Sequence, residues 1–317
     1  MNETQRKIKA VTDCFAKDLN SMGGRSKHTL RNYGYNIQIF CNFLQENYPR
    51  FAKKGDFKIV DRNILRAFLT NLSRRQKASS VSNRMYALKS FFNFLVRERY
   101  IPVSPFLYMD RMKAPQRDLP AFLNLDETFA LLDSISGNDF DSLRDGAALE
   151  LLYSTGVRVS ELVDLNWENV DARAGFIKVE HGKGDKQRVI PVGENALERL
   201  WLYGKICRSK WGIDPSGKQA IFLSQLGQGR IVTKGRRITT RSVARLLNKR
   251  LKLAGVEKHI GPHGLRHSFA THLLRDGADL SAIKDMLGHE TLDITQKYTH
   301  VNLDHLTSAY AKAHPRA

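Results

Sequence analysis

Residues 260–274 read IGPHGLRHSFATHLL. A helix start in this stretch carries His263, Arg266, His267 and His272 within ten residues. Three readings compete. His263 and His267 stand four apart and could share a helix face as metal ligands. His263 and Arg266 stand three apart and could hold an anion on a different patch of the same turn. A solvated polar face is the third reading. The rest of the chain has to choose among them.

The chain has 317 residues, enough for two domains with separate cores. Its hydrophobic content of 42% fits a soluble globular protein. No apolar run approaches the roughly 18 residues that a membrane span needs. The polar start MNETQRKIKA is not a secretory signal. Cys14, Cys41 and Cys207 are far apart and odd in number. They form neither a disulfide framework nor a zinc spacing, and a reducing cytoplasm is the expected compartment.

The charge is lopsided. The net charge is +19, and residues 1–117 hold 23 basic side chains against 8 acidic ones. An even excess would suggest solubility or a generally basic surface. An excess gathered in the first third suggests a clamp on a polyanion, and nucleic acid is the expected partner. A membrane surface fits poorly, because no Lys/Trp-rich amphipathic segment is present.

That first third reads as helices. Ile8, Val11, Phe15 and Leu19 have helical spacing in 8–19, and Gly23 and Gly24 end the run. Ser26 is the expected cap of 27–48, where Leu30, Ile37, Phe40 and Leu44 share a face. Asp61 caps 62–75, striped by Ile64, Leu65, Phe68 and Leu72. Ser79 or Ser80 opens 81–99, buried through Met85, Leu88, Phe92 and Leu95. The expectation is a compact four-helix domain without strands. Arg25, Lys27, Arg31, Arg74, Arg75, Lys77, Arg84 and Lys89 fall on its polar faces. Their clustering at two helix starts beside Ser and Thr favours phosphate contacts over idle solvation.

Residues 100–120 contain four prolines and little periodicity, an extended linker. The expected division is a helical domain over 1–105, a linker over 106–120 and a second domain over 121–317. Helices 124–135, 140–156 and 158–165 open the second domain. Two β-branched runs, 174–181 and 187–193, then flank the turn GKGDK. Helices follow over 194–210, 240–255, 263–277 and 280–288. Asp293 with Gln296 makes a capping box for 294–301, and a last helix spans 303–314.

Singly, the polar candidates of this domain are weak. Arg158 and Glu161 could form a surface i,i+3 pair worth a few tenths of a kcal/mol. Val157, Val159 and Leu162 around them suggest instead that the arginine stands in a cleft wall. Lys183 lies in a turn whose glycines let a ligand approach the backbone. His289 follows a glycine that can end a helix, and Tyr298 comes nine residues later.

Together these residues make the pattern R…K…H-x-x-R…H…Y. It is carried by TGVRVSEL (155–162), GKGDKQRVIPV (182–192), PHGLRHSFATHLL (262–274), LGHETLDITQKYTHV (287–301) and HLTSAYAKAHPRA (305–317). The chain resembles the tyrosine recombinase (phage integrase-like) family over nearly its whole length. SKHTLRNYGYNIQIFCNFL (26–44) looks like that family's core-binding domain, and the tail and length look like its Xer subgroup. The resemblance implies a mainly α protein with a small β hairpin or sheet. It also implies a two-domain C-shaped clamp, with an N-terminal helical core-binding domain and a C-terminal catalytic domain.

The resemblance further implies a chemistry. Arg158, Lys183, His263, Arg266, His289 and Tyr298 would be the catalytic set, with Glu161 behind Arg158. Tyr298 would be the nucleophile, giving a 3′-phosphotyrosine that another strand's 5′-hydroxyl reseals through a Holliday junction. Lys183 would be the general acid. No metal, ATP or other cofactor is implied, His267 is expected to face the domain interior, and zinc becomes the poor reading. The partners would be a specific double-stranded DNA site, a homo- or hetero-tetramer with a second recombinase, and an FtsK-like DNA translocase, with no membrane. The apolar face Leu303, Leu306, Ala309 and Tyr310 of the tail is expected to exchange between protomers, the alternative being that this helix packs on its own domain. The role would be chromosome-dimer resolution at a dif-like site. The alternatives are a mobile-element or phage integrase, a nick-and-reseal topoisomerase, and a non-catalytic DNA-binding protein on the same fold. The short tail and the lack of an extra N-terminal arm-binding segment make the two-site phage integrase the less expected of these.

Overall fold

A computed structural model describes residues 3–21, 27–107, 109, 121–180, 187–224, 235–288 and 300–317, without the side chains of 27, 28 and 300–302. The chain folds as two compact units, Met1–Asp118 and Leu119–Ala317. No helix among the described residues is long and apolar enough to cross a membrane.

The first unit contains α1 (Glu3–Ser21), α2 (Lys27–Asn47), α3 (Pro49–Lys54), α4 (Arg62–Ser73) and α5 (Ala78–Arg97). The apolar stripes pack inward. Ile8, Phe15 and Leu19 of α1, Ile37, Phe40 and Leu44 of α2, and Leu65, Phe68 and Leu72 of α4 are all buried. Phenylalanines dominate the centre: Phe40 meets Phe68 and Phe92, and Phe91 meets Phe15 and Phe57, mostly edge to face. Each such ring is worth about 3–5 kcal/mol against truncation to alanine. Asp61 caps α4, its carboxylate accepting from the Ile64 N–H at 2.8 Å. The start of α5 departs from expectation. The helix begins at Ala78, and Lys77 holds the cap position with no side-chain hydrogen bond, so neither Ser79 nor Ser80 caps it. The short α3 is an addition to the four expected helices. Ser26 and the glycine pair lie outside the described residues.

The second unit is built around α7 (Phe140–Thr155), buried continuously from Asp145 to Thr155. Around it stand α6 (Leu125–Asp133), α8 (Val159–Asp164), α9 (Glu194–Trp211), α10 (Thr240–Leu253) and α11 (Pro262–Arg275). α12 (Leu280–Leu287) and α13 (His300–Ala313) complete the helices described. Three antiparallel strands lie in the order β1 (Val170–Asp171), β2 (Phe176–Val179), β3 (Arg188–Pro191), with Ile177 opposite Ile190. β1 is one strand more than the sequence suggests. Gly156 ends α7 in the left-handed region at φ +59, where a side chain would collide with Phe269.

The tail packs on its own unit. Leu306, Tyr310 and Ala313 are buried, and the Tyr310 hydroxyl stands 2.7 Å from that of Ser154. Arg316 donates to both oxygens of the buried Glu150, at 2.8 and 3.2 Å. Of the apolar face expected to exchange between protomers, Leu306 and Tyr310 are buried within this chain and Leu303 and Ala309 are half-buried. The expected helix 294–301 falls mostly outside the described residues.

Candidate active site

The site forms where α7, α8, β3 and α11 meet the end of α12. Arg158 is the residue before α8, fixed by its own first turn. Its Nη1 donates to Glu161 Oε1 at 2.7 Å, and its backbone N–H to Glu161 Oε2 at 2.8 Å. Arg266 lies on α11, only 8% exposed. It donates to the Gly156 carbonyl at 2.6 Å and to the Leu287 carbonyl at 2.7 Å. Arg158 Nη2 reaches the Gly288 carbonyl at 3.2 Å.

A third arginine joins them. Arg188 on β3 is 4% exposed, and its Nε donates to the Met286 carbonyl at 2.9 Å. Its Nη1 and Nη2 donate to the two oxygens of Glu161, at 3.0 and 2.6 Å. Three successive carbonyls at the end of α12, those of Met286, Leu287 and Gly288, therefore each accept from a different guanidinium. A helix C-terminus leaves such carbonyls without partners and carries partial negative charge, so it suits cations.

The electrostatics favour an incoming anion. Arg158 and Arg188 share the Glu161 carboxylate, while Arg266 is bonded to backbone carbonyls. Burial raises the Glu161 carboxyl, but hydrogen bonds and charge from Arg188, and then Arg158, hold it below its ordinary value. Burial, and next the neighbouring Arg158 charge, push Arg266 down to about 10. It stays cationic at neutral pH.

His263 and Arg266 line one cavity of about 370 Å³, with His259, His267 and Leu287 among its other walls. His263 is exposed there. His267 does not face the interior as expected. It is half-buried on the same cavity, its ring edge-on to Phe122. The inward histidine is His272, 2% exposed, with its Nδ1 2.9 Å from the Tyr153 hydroxyl. The helical period explains the exchange: Leu265, Phe269 and His272 share the buried arc, and His267 flanks it. Among the described residues, no group of three or more His, Cys, Asp or Glu is placed to hold a metal ion.

Lys183, His289 and Tyr298 lie outside the described residues. In sequence, Lys183 falls between β2 and β3, and His289 directly follows the Gly288 gripped by Arg158. Arg188 was missed by the sequence reading. Its signal is a charge in phase with Ile190 on a strand whose inward face is apolar. On the first unit, Arg31, Arg74, Arg75, Lys77 and Lys89 are exposed. Arg84 is half-buried, bonded to Gln76 and lying over the ring of the exposed Tyr35. Lys27 lies in α2 and Arg25 outside the described residues.

Residues 121–305 match the model of the phage integrase family, and residues 13–99 match the phage integrase N-terminal SAM-like domain. The chain belongs to the phage integrase family. A tyrosine recombinase XerC of Syntrophus aciditrophicus (strain SB) is 40% identical over 92% of this chain and 93% of that protein. A tyrosine recombinase XerD of Staphylococcus aureus is 35% identical over 93% of this chain and 95% of that one. A lambda integrase tetramer bound to a Holliday junction has the same fold, with a TM-score of 0.66 at 19% identity, over 92% of this chain and 80% of that one. As a phage integrase family tyrosine recombinase, the chain is a DNA strand-exchange enzyme.

Proposed function

We propose that this recombinase resolves chromosome dimers at a dif-like site in the cytoplasm, serving chromosome partition at cell division. The observation that carries the site assignment is the convergence of Arg158 and Arg266 on the Leu287 and Gly288 carbonyls before His289, with Glu161 bonded to Arg158 and Arg188. Among the described residues this cluster carries more guanidinium than carboxylate charge, and a phosphodiester supplies a further anion.

Attack on the phosphodiester places more charge on its non-bridging oxygens. Arg158 and Arg266 offer planar donor pairs to those oxygens, and His263 and His289 add donors. Preorganised donors in a site poor in water are each worth about 3 kcal/mol of transition-state stabilisation. The Tyr298 hydroxyl, whose ordinary pKa is about 10, attacks phosphorus as it loses its proton. His263 or the phosphate itself accepts that proton. The 5′-oxygen leaves with a proton from Lys183, giving a 3′-phosphotyrosine. A 5′-hydroxyl from another strand then displaces the tyrosine, so the exchange conserves bond energy and consumes no ATP. Two such rounds on two duplexes pass through a Holliday junction held by four protomers, either identical or shared with a second recombinase. An FtsK-like translocase is the activator this role calls for. The curated relatives named XerC and XerD support the assignment. The exposed cations of the first unit support backbone contacts to DNA.

The test uses a nicked suicide duplex carrying the dif-like site. The protein is expected to leave a denaturation-resistant adduct on it. Tyr298→Phe is expected to bind the duplex as tightly and leave none. An adduct formed by Tyr298→Phe would overturn the assignment.

A further inference from the structure

We propose that Arg188 is a positioning residue of this site: it offsets the charge of Glu161, so that Glu161 orients Arg158 without quenching it, and it anchors the turn that leads to His289. The inference rests on the functional reading above for the roles of Arg158 and His289.

Glu161 is the hub. Each of its oxygens accepts two hydrogen bonds, Oε1 from Arg158 Nη1 and Arg188 Nη1, Oε2 from the Arg158 backbone and Arg188 Nη2. A carboxylate has about four acceptor positions, so none is left over. With Arg158 alone, the pair would be neutral and the arginine's charge largely spent on its buttress. Arg188 restores one positive charge to the group. It is 4% exposed, and its Nε, Nη1 and Nη2 are committed to the Met286 carbonyl and the Glu161 carboxylate, so it acts through its neighbours rather than on the phosphate. Its Nε bond to Met286 and its packing against Gly288, where an added Cβ would stand 3.2 Å away, tie β3 to the end of α12. One side chain therefore braces both the strand that follows Lys183 and the turn that precedes His289. A lysine offers no fork to bridge two carboxylate oxygens and a carbonyl together.

The variants Arg188→Met, Arg188→Lys and Glu161→Gln/Arg188→Met test this by three readouts: duplex affinity, the single-turnover rate of adduct formation at saturating DNA, and thermal stability. Arg188→Met is expected to slow adduct formation about 100-fold while affinity changes less than about threefold, as for a misplaced site. The double variant, in which no carboxylate offsets the Arg158 charge, is expected to be at least about tenfold faster than Arg188→Met. Arg188→Lys is expected to fold and to remain about tenfold slow; it decides the matter if Arg188→Met does not fold. A wild-type rate in either single variant overturns the proposal. So does a double variant no faster than Arg188→Met, which is what a merely structural role predicts. Inorganic phosphate provides a readout independent of cleavage. It is expected to raise the melting temperature of the wild type and to lose that effect in Arg188→Lys. An undiminished effect there contradicts the proposal. Should the wild type form no adduct at all, the recombinase reading fails, and the phosphate shift still decides the role of Arg188.

Discussion

Arg266 shows how burial and charge set a site's appetite. Its guanidinium spends two donors on the Gly156 and Leu287 carbonyls and keeps the rest for the cavity. Arg266→Lys preserves the charge but not this fork, so it is expected to be nearly as damaging to cleavage as Arg266→Ala. Glu161 makes a pH-dependent contribution to stability. Its carboxyl is lowered from an ordinary 4.5, since the arginine contacts outweigh burial. A lowered carboxyl stabilises the fold fully above its unfolded value and loses that effect as pH falls through the folded value. The melting temperature of the wild type relative to Glu161→Gln is therefore expected to be constant well above pH 4.5 and to fall in more acid solution. A difference independent of pH would show that Glu161 is not held as an ion. Arg158, Glu161 and Arg266 were legible through the spaced pattern R…K…H-x-x-R…H…Y and the family it resembles; singly, Arg158 and Glu161 could have been a surface pair. Arg188 was not. In QRVIP it follows a charged turn and looks solvated, and only the distant arrival of α12 and α8 buries it.

At the level of helices and turns, the periodic stripes of α1, α2, α4 and α5 were readable because each spans several turns. α3 has six residues and β1 two, too few to show a period. The start of α5 was misplaced because a serine is only a preference for a cap, and Lys77 reaches extended geometry without one. Gly156 is a turn that the sequence placed correctly, and it carries a sharp stability test. A Cβ there would stand 2.3 Å from the buried Phe269 ring, at a φ of +59. Gly255 has a similar φ of +70 with open space around it. Gly255→Ala meets only the backbone penalty of about 1 kcal/mol, whereas Gly156→Ala adds overpacking for a total of about 3 kcal/mol. Thermal melts are expected to separate the two variants by roughly 5 °C or more. Equal shifts would mean that Phe269 yields freely. The Gly156 variant also disturbs the carbonyl that holds Arg266, so cleavage is expected to suffer with stability.

Across the chain, charge and chemistry are divided between two units. The basic excess lies in the first, and the buried arginine cluster in the second. The two-part organisation was visible from the proline-rich stretch and the change in composition. The tail was the less legible part, because an apolar face on a terminal helix does not say which molecule covers it. Here Tyr310, Ala313 and Arg316 are engaged within the chain. An assembly that used this face would first have to release those contacts, including the pairing of Arg316 with Glu150. Binding to DNA is expected to weaken steeply with added salt, because phosphate contacts release counterions. The central claim is that one tyrosine becomes joined to one DNA end. The most direct measurement digests the protein from the trapped adduct and identifies, by tandem mass spectrometry, the peptide that carries the nucleotide and the end to which it is attached. The account predicts a peptide modified at Tyr298 and linked through a 3′-phosphate, with a free 5′-hydroxyl on the released strand. A nucleotide on any other residue, or a 5′-phosphate linkage, would contradict it.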